Sequence, residues 1–175
     1  MFIEDEYSCE KTGAKHSVAD FGQPQCIHEF FEAQAQQWPA SVALVHEGWT
    51  MSYAALNRQA NKLAHYLRRL GVGPDVPVAV LMERSLDKVV GLLAILKAGG
   101  ACVSMDLASP VERLVYMLHD TAPAAVLVDA ASHSHAVLQH SVFRVLNLQG
   151  DARRWDEEPD ADLSRERIGL RANHP

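Results

Sequence analysis

The pattern of apolar and polar residues changes at Cys26, where apolar side chains begin to recur every three or four positions. This spacing predicts an amphipathic helix that ends before Pro39. Two short apolar runs, at residues 42–45 and 49–51, then flank the pair Glu47-Gly48. Because such a pair favours a tight turn, the two runs predict a hairpin of two strands.

Strands and helices alternate beyond this hairpin. Ser52 is placed to cap a helix whose apolar residues repeat until Gly71, where a left-handed glycine would end it. Four later apolar runs predict strands, and the first of them is apolar on both faces, as in a buried parallel strand. They cover residues 78–82, 101–105, 125–128 and 143–148. The segments between these runs predict connecting helices.

Local signals mark the ends of those connecting helices. Gly99 is expected to end the first of them in a left-handed conformation. Ser109-Pro110-Val111-Glu112 predicts a capping box for the second, with proline at the first helical position. Residues 131–140 predict a third, shorter helix before the last strand.

Alternating strands and helices with short loops imply a parallel sheet with right-handed crossovers. The expected fold class is α/β, a Rossmann-like, doubly wound, mostly parallel sheet with helices on both faces. We divide the chain into a polar leader or linker over residues 1–25 and an α/β layer over residues 26–150. Residues 151–175 are acidic and irregular, and they predict an exposed connector.

Composition and charge exclude several classes of protein. Of the 175 residues, 48% are hydrophobic and 22% charged, the usage of a folded domain with a sizeable core. The formal charge of the chain is -6. The chain therefore lacks the excess of basic residues that is typical of proteins that bind nucleic acids or anionic membranes. No apolar stretch reaches the roughly 18 residues that a membrane span needs. We expect neither nucleic acid nor membrane as a partner.

The amino-terminal residues and the cysteines indicate a cytoplasmic location. The first residues are acidic, whereas a secretory signal needs a basic start and an apolar run. Cys9, Cys26 and Cys102 are odd in number and far apart, which fits neither zinc spacing nor a disulfide framework. We expect reduced thiols, with Cys102 packed in a buried strand.

Standard motifs for nucleotides, hydrolysis and metals are missing from the sequence. Gly71-Val72-Gly73 precedes a strand instead of following one, and neither a phosphate-binding GxxxxGK[ST] loop nor a nucleophile elbow is present. His133, His135 and His140 lack the spacing of metal ligands, so we expect them on the surface. A hydrolase or metal site is therefore not predicted.

Three charged residues follow predicted strands, at the edge where parallel α/β sheets bind ligands. Glu83 and Arg84 follow the first parallel strand, and Asp106 follows the second. When the sequence shows no partner for such residues, they more often cap a helix or form a surface ion pair than bind a ligand. The residues by themselves predict an α/β layer without a catalytic constellation.

Two ordered motifs resemble the adenylation domains of nonribosomal peptide synthetases. Residues 96–110, LKAGGACVSMDLASP, are similar to the family pattern LKAGxAYVPLDPxYP, and residues 51–56, MSYAAL, to its earlier L[TS]YxEL pattern. The resemblance extends from about Cys26 to the end of the sequence. Four positions replace tyrosines or prolines of the second pattern: Cys102, Ser104, Leu107 and Ser109.

The resemblance implies a parent reaction in which ATP and an amino acid form an aminoacyl adenylate and pyrophosphate, with Mg²⁺ offsetting phosphate charge. A carrier-protein phosphopantetheine thiol then takes the acyl group. In the family, the phosphate loop, the substrate pocket and the catalytic lysine all lie beyond the position that corresponds to Pro175. No catalytic, cofactor-binding or metal residue is therefore carried over, and Lys97 is assigned a structural role at a helix end.

Three hypotheses follow from the resemblance. The first is the amino-terminal piece of an amino-acid-activating domain, inactive alone, whose partners are the remainder of that domain or an adjacent synthetase module. The second is a noncatalytic remnant that binds another synthetase through an uncovered apolar surface. The third is a fragment of an acyl-CoA or acyl-AMP ligase of the same superfamily. The sequence of residues 96–106 disfavours this hypothesis, because it resembles the peptide-synthetase branch more closely.

Overall fold

The computed structural model describes residues 26–139 and 142–170 as a series of alternating helices and strands. In chain order these are α1 (Ile27–Gln37), β1 (Val42–His46), β2 (Trp49–Ser52), α2 (Tyr53–Arg69), β3 (Pro77–Leu81), α3 (Leu86–Ala98), β4 (Ala101–Ser104), α4 (Val111–Thr121), β5 (Ala125–Val128), α5 (Ala136–Gln139), β6 (Val145–Asn147), a 3-10 turn (Ala152–Arg154) and α6 (Arg165–Ile168). Among the described residues, no helix combines the length and hydrophobicity that a membrane crossing requires.

Strands β1 and β2 form the predicted antiparallel hairpin. Its two turn residues, Glu47 and Gly48, have positive φ angles of 49° and 81°. A two-residue type I′ turn requires positive φ at both positions, and glycine adopts it without strain. The hairpin predicted from this residue pair is confirmed.

The other four strands form a parallel sheet in the order β4-β3-β5-β6. Strand β3 pairs with β4 on one side and with β5 on the other. After β3 the chain therefore crosses to one side of the sheet and then returns to the opposite side. This doubly wound order confirms the predicted fold class.

Two apolar clusters cover the two faces of the parallel sheet. Successive side chains of a strand point to opposite faces. Val78 and Val80 of β3 accordingly belong to the cluster built with α2 and α3, whereas Ala79 and Leu81 belong to the cluster built with α4. Helices thus lie on both faces, as predicted.

The predicted ends of α2 and α3 are confirmed. Ser52 Oγ accepts a hydrogen bond from the Ala55 N–H at 3.2 Å, which caps α2. Gly71 and Gly99 have φ angles of 90° and 82° just after the two helices. A side chain would strain the backbone there, so glycine is required at both positions.

The capping box predicted for α4 is wrong. Pro110 is the residue before the helix, with an extended ψ of 142°, and no side chain caps the first turn. Ser109 belongs to the preceding turn, where its N–H donates to the Asp106 carbonyl at 3.0 Å. Because α4 begins one residue later than predicted, at Val111, the serine lies too early in the chain to cap it.

The helix predicted over residues 131–140 is shorter, since only α5 is helical. The preceding residues form turns in which the carbonyls of Asp129 and Ser132 each accept a hydrogen bond at 2.9 Å, from the N–H groups of His133 and His135. His133 is exposed and His135 is half-buried, both ahead of the helix. His140 and the predicted leader lie outside the described residues.

Most of the described residues after Gly150 are exposed, but two apolar side chains among them are buried. Trp155 is only 7% exposed and joins the core beside α2, its ring centroid 5.5 Å from that of Tyr66. Ile168 of α6 is also buried. We call residues 155–162 the acidic segment. The division of the chain at residue 150 stays a prediction.

The predicted burial of Cys102 is wrong. Cys102 is exposed because it lies on β4, at the edge of the described sheet. Cys26 is buried next to α1, and both thiols are free. Burial, reinforced by the neighbouring Glu29 carboxylate, raises the pKa of the Cys26 thiol. Cys9 lies outside the described residues.

Candidate functional site

A polar cleft of about 620 Å³ opens at the carboxyl ends of β3 and β4. It is lined by the three charged residues that the sequence placed at this edge, Glu83, Arg84 and Asp106. Three further titratable side chains also line it: His46, Glu47 and Lys88. The structure therefore brings the predicted edge residues together and adds the hairpin, whose approach the sequence pattern did not predict.

Two lining residues of this cleft bind groups within the protein. Lys88 Nζ donates to the Met82 carbonyl at 2.8 Å, and the Lys88 N–H donates to Ser85 Oγ at 3.1 Å. Asp106 Oδ1 accepts from the Ala108 N–H at 3.0 Å, which closes the turn after β4. These contacts shape the loops around the cleft.

A buried carboxylate, Asp129, lies beside the cleft at the end of β5. It is 6% exposed, and its Oδ2 accepts from the Glu83 N–H at 3.2 Å. Its Oδ1 accepts from both the N–H and the hydroxyl of Ser132 at 2.7 Å. Burial by itself raises the pKa of Asp129, but these hydrogen bonds outweigh burial and hold the pKa below its usual range.

Sequence reasoning missed Asp129, although a signal was present. Asp129 directly follows a strand that is apolar on both faces, the same position that drew attention to Asp106. The hydrogen bond to Glu83 joins residues 46 positions apart in the chain. Only the pairing of β3 with β5 reveals this contact.

Lys97 is fully buried and pairs with two carboxylates. Its Nζ contacts the Glu32 carboxylate of α1 and lies 3.0 Å from Asp162 Oδ1. The same Asp162 oxygen accepts from the side-chain amides of Asn57 and Asn61, each at 2.9 Å. We call these five residues the Lys97 node. It joins α1, α2 and α3 to the acidic segment.

The two carboxylates of the Lys97 node differ in their electrostatics. Burial raises the pKa of Glu32, although Lys97 opposes this shift. Burial acts in the same direction on Asp162, but hydrogen bonds from Asn61, Lys97 and Asn57 outweigh it and lower its pKa. Asp162 is therefore the more firmly ionised partner of Lys97.

Side chains on the outer face of α2 hold the acidic segment further. Lys62 Nζ and His65 Nε2 lie 2.5 Å and 3.0 Å from backbone carbonyl oxygens of the segment, and Arg69 pairs with Glu158. The fully buried Asn61 reaches a third carbonyl at 2.6 Å. The segment therefore lies along α2 with much of its backbone bonded.

His28 of α1 is buried beside the Lys97 node. Its side chain is 2% exposed, and its Nε2 has no hydrogen-bond partner within the described structure. Burial and the nearby Lys97 lower the pKa of His28, while Glu29 and Asp162 act in the opposite direction. The imidazole is thus neutral in the folded protein at neutral pH.

We expect His28 to make the fold sensitive to mild acid. The unfolded chain binds a proton at this histidine near pH ~6.5, whereas the folded site stays neutral to lower pH. Its contribution is fully present above pH ~6.5 and is lost as the pH falls toward the folded pKa, by at most about 1.4 kcal/mol per pH unit. Urea unfolding at about pH 7.5 and about pH 5.5 measures this loss. His28→Gln is expected to show a smaller loss, and an equal loss in both proteins would contradict the assignment.

The resemblance implies a Mg²⁺ site for a complete domain. Across residues 26–139 and 142–170, no three side chains of His, Cys, Asp or Glu converge closely enough to hold a metal ion. Carboxylate and other oxygen ligands are what Mg²⁺ requires. No metal contact is therefore assigned to these residues.

Comparison with known protein families identifies the family of this chain. Residues 31–171, most of the chain, match the family model described as AMP-binding enzyme. This chain belongs to the AMP-binding enzyme family. The polar cleft, Asp129 and the Lys97 node of this AMP-binding chain all lie within the matched range.

Similar curated proteins are large synthetases. A linear gramicidin synthase of Brevibacillus parabrevis is 52% identical over 78% of this AMP-binding chain and 3% of its own length. Tyrocidine synthase 1 of the same organism is 43% identical over 65% of the chain and 10% of its own length. Malpinin synthetase of Mortierella alpina is 49% identical over 61% of the chain and 1% of its own length. The chain thus spans a small fraction of each relative.

Solved structures of similar proteins also match this chain over a small part of their own length. The nonribosomal peptide synthetase FmoA3, bound to alpha-methyl-L-serine-AMP, matches with a TM-score of 0.73 and 30% identity over 80% of this chain and 15% of that one. Klebsiella oxytoca NpsA shares the fold, with a TM-score of 0.68 and 21% identity over 81% of this chain and 29% of that one. The AMP-binding chain is similar to the amino-terminal part of an adenylation domain.

Proposed function

We propose that this chain forms the amino-terminal α/β layer of an amino-acid adenylation domain in a nonribosomal peptide synthetase. The family match over residues 31–171 supports the adenylate-forming class. Identity of 52% to a linear gramicidin synthase supports the peptide-synthetase branch. A cytoplasmic location, where ATP and reduced thiols are available, is part of the same proposal.

The complete domain would activate an amino acid in two steps. A carboxylate oxygen of the amino acid attacks the α-phosphorus of ATP, which forms the acyl-phosphate anhydride and releases pyrophosphate. The phosphopantetheine thiol of a carrier protein then attacks the acyl carbon, and AMP leaves. ATP, Mg²⁺, the carrier protein and the remainder of the domain are the substrates and partners that this proposal requires.

The 175 residues themselves are proposed to support this reaction and not to catalyse it. The observation that carries this proposal is that Asp129, Asp106 and Lys97 are already bound by groups of the protein itself. Asp129 accepts from Glu83 and Ser132, Asp106 closes its own turn, and Lys97 is fully paired inside the fold. Catalysis of phosphoryl transfer depends on groups positioned toward the phosphates.

Exposed apolar side chains on and near the hairpin support a partner that covers this layer. Trp49 is 75% exposed and Val45 is 71% exposed, and both lie on the hairpin. Trp38 and Val42 nearby are 55% and 56% exposed. Val45 and Trp49 belong to successive cross-strand pairs of the hairpin, so their exposed side chains lie on its opposite faces. We propose that further parts of the synthetase cover them.

Amino-acid-dependent exchange of pyrophosphate into ATP tests the proposal. We expect no exchange by the purified chain across a panel of amino acids, because the catalytic groups are supplied by other residues. Adding a polypeptide that carries the rest of an adenylation domain is expected to restore exchange with one amino acid or a few.

Each other outcome has a defined meaning. Exchange by the chain alone would overturn the proposal that its residues are noncatalytic. If neither protein alone nor the mixture supports exchange, the chain is a noncatalytic remnant. As a control, the Trp155→Ala variant replaces the wild-type chain in the mixture. This comparison tests whether exchange requires a correctly folded layer.

A further inference from the structure

The parallel sheet has one topological switch point within the described residues, between β3 and β5. The chain leaves β3 for β4 on one side and then crosses back to β5 on the other. In open α/β sheets, ligands bind outside the carboxyl ends of the strands at such a point. Backbone N–H groups there commonly bind the phosphate of a nucleotide.

Asp129 lies at this switch point of the described sheet. Its carboxylate accepts from the N–H of Glu83, after β3, and from the N–H and hydroxyl of Ser132, after β5. The distances are 3.2, 2.7 and 2.7 Å, all within hydrogen-bond range. The Ser132 hydroxyl in turn accepts from the Asp129 N–H at 3.0 Å.

We infer that the Asp129 carboxylate occupies the place of a ligand phosphate at the switch point. It thereby holds the backbone at Glu83, which lines the polar cleft. In this assignment the layer contributes no phosphate contact at the position where such sheets ordinarily bind nucleotides. Asp129 is a positioning residue, since it acts through the Glu83 backbone. The inference rests on the fold and not on the proposed adenylation activity.

The physical basis is the cost of an unsatisfied buried donor. If the carboxylate is removed, the Glu83 N–H at the cleft and the N–H of the buried Ser132 both lose their acceptor. A small oxyanion then satisfies the same donors without a covalent link to the chain. Formate has the shape of the missing carboxylate, so it is the first probe, and inorganic phosphate is the second.

The test compares Asp129→Ala with wild type by amide hydrogen exchange and thermal unfolding. In the variant we expect the Glu83 amide to exchange on the order of tenfold faster, because a charge-assisted hydrogen bond is lost. Sodium formate is expected to raise the Tm of the variant in a saturable way and to slow Glu83 exchange again. Neither formate nor inorganic phosphate is expected to change the wild-type protein at the same concentration.

Asp106→Ala is the matched control, because Asp106 also accepts from a backbone N–H at a strand end but is exposed. Formate is expected to leave this control unchanged. If Asp129→Ala does not fold, Asp129→Asn removes the charge and keeps the size, and its Glu83 amide is expected to exchange faster than in wild type.

Two results would overturn the inference. One is a Glu83 amide that keeps its wild-type protection in both Asp129 variants. The other is binding of inorganic phosphate or ATP to the wild-type chain with perturbed Glu83 and Ser132 resonances. Both results are independent of pyrophosphate exchange, so failure of this inference and failure of the proposed function are distinguishable.

Discussion

Replacing Lys97 by methionine is expected to lower the free energy of unfolding by about 3 kcal/mol, the low end for removing one partner from a buried ion pair. Methionine keeps most of the apolar stem, so the loss comes from the charge. The Glu32 side chain, only 13% exposed, is left without its cation. Asp162 retains the amides of Asn57 and Asn61, which is why the expected loss is not larger.

Urea unfolding followed by tryptophan fluorescence measures this loss. Lys62→Met is the matched control, because Lys62 is only half-buried and makes one backbone contact, and we expect a change within about 0.5 kcal/mol. The double variant Lys97→Met with Glu32→Gln is expected to lose less than Lys97→Met alone, since no unpaired carboxylate remains. Stability within about 0.5 kcal/mol of wild type for Lys97→Met would contradict the buried pair.

Replacing Trp155 by alanine is expected to cost about 3–5 kcal/mol, the usual range for a tryptophan removed from a core. Trp155 is 7% exposed, packs in the cluster with Leu63 of α2, and lies against the ring of Tyr66. Its loss leaves a cavity between α2 and the acidic segment. We therefore also expect faster proteolysis within residues 155–162 than in the wild-type chain.

Trp49→Ala provides the control for this experiment. Trp49 is the same residue type but 75% exposed on the hairpin, and its removal is expected to change stability by less than about 0.5 kcal/mol. Equal effects of the two tryptophan variants would show that the acidic segment is not packed in solution. Retained resistance to proteolysis in Trp155→Ala would show that the polar contacts to α2 suffice to hold it.

These two positions matter for function because the acidic segment leads to the end of the described chain. Trp155 and the Lys97 node attach it to the layer at two places, by apolar burial and by charge. In the proposed complete domain, this attachment sets where the following residues leave the layer. Lys97 belongs to the motif that carries the family resemblance, and its pairing with Glu32 and Asp162 gives a physical reason for a lysine there.

The local elements of this protein could be predicted because their signals are local. The hairpin depended on two adjacent turn residues, and the caps of α2 and α3 depended on Ser52, Gly71 and Gly99. Apolar periodicity, together with glycine and proline at the boundaries, located the parallel strands and most of the helices between them. Where a local signal was ambiguous, as at Ser109-Pro110, the prediction of the helix start was wrong by one residue.

The sequence by itself thus determined the α/β class, the order of its elements and the motifs that resemble adenylation domains, because periodicity and turn chemistry act between near neighbours. Only the tertiary structure decided which charges are buried. Lys97 meets Asp162 across 65 residues, and Glu83 meets Asp129 across 46. No pattern along the chain encodes such distances, since strand order and helix packing bring these groups together. The same physics exposes Cys102, because the burial of a strand residue depends on its place in the sheet.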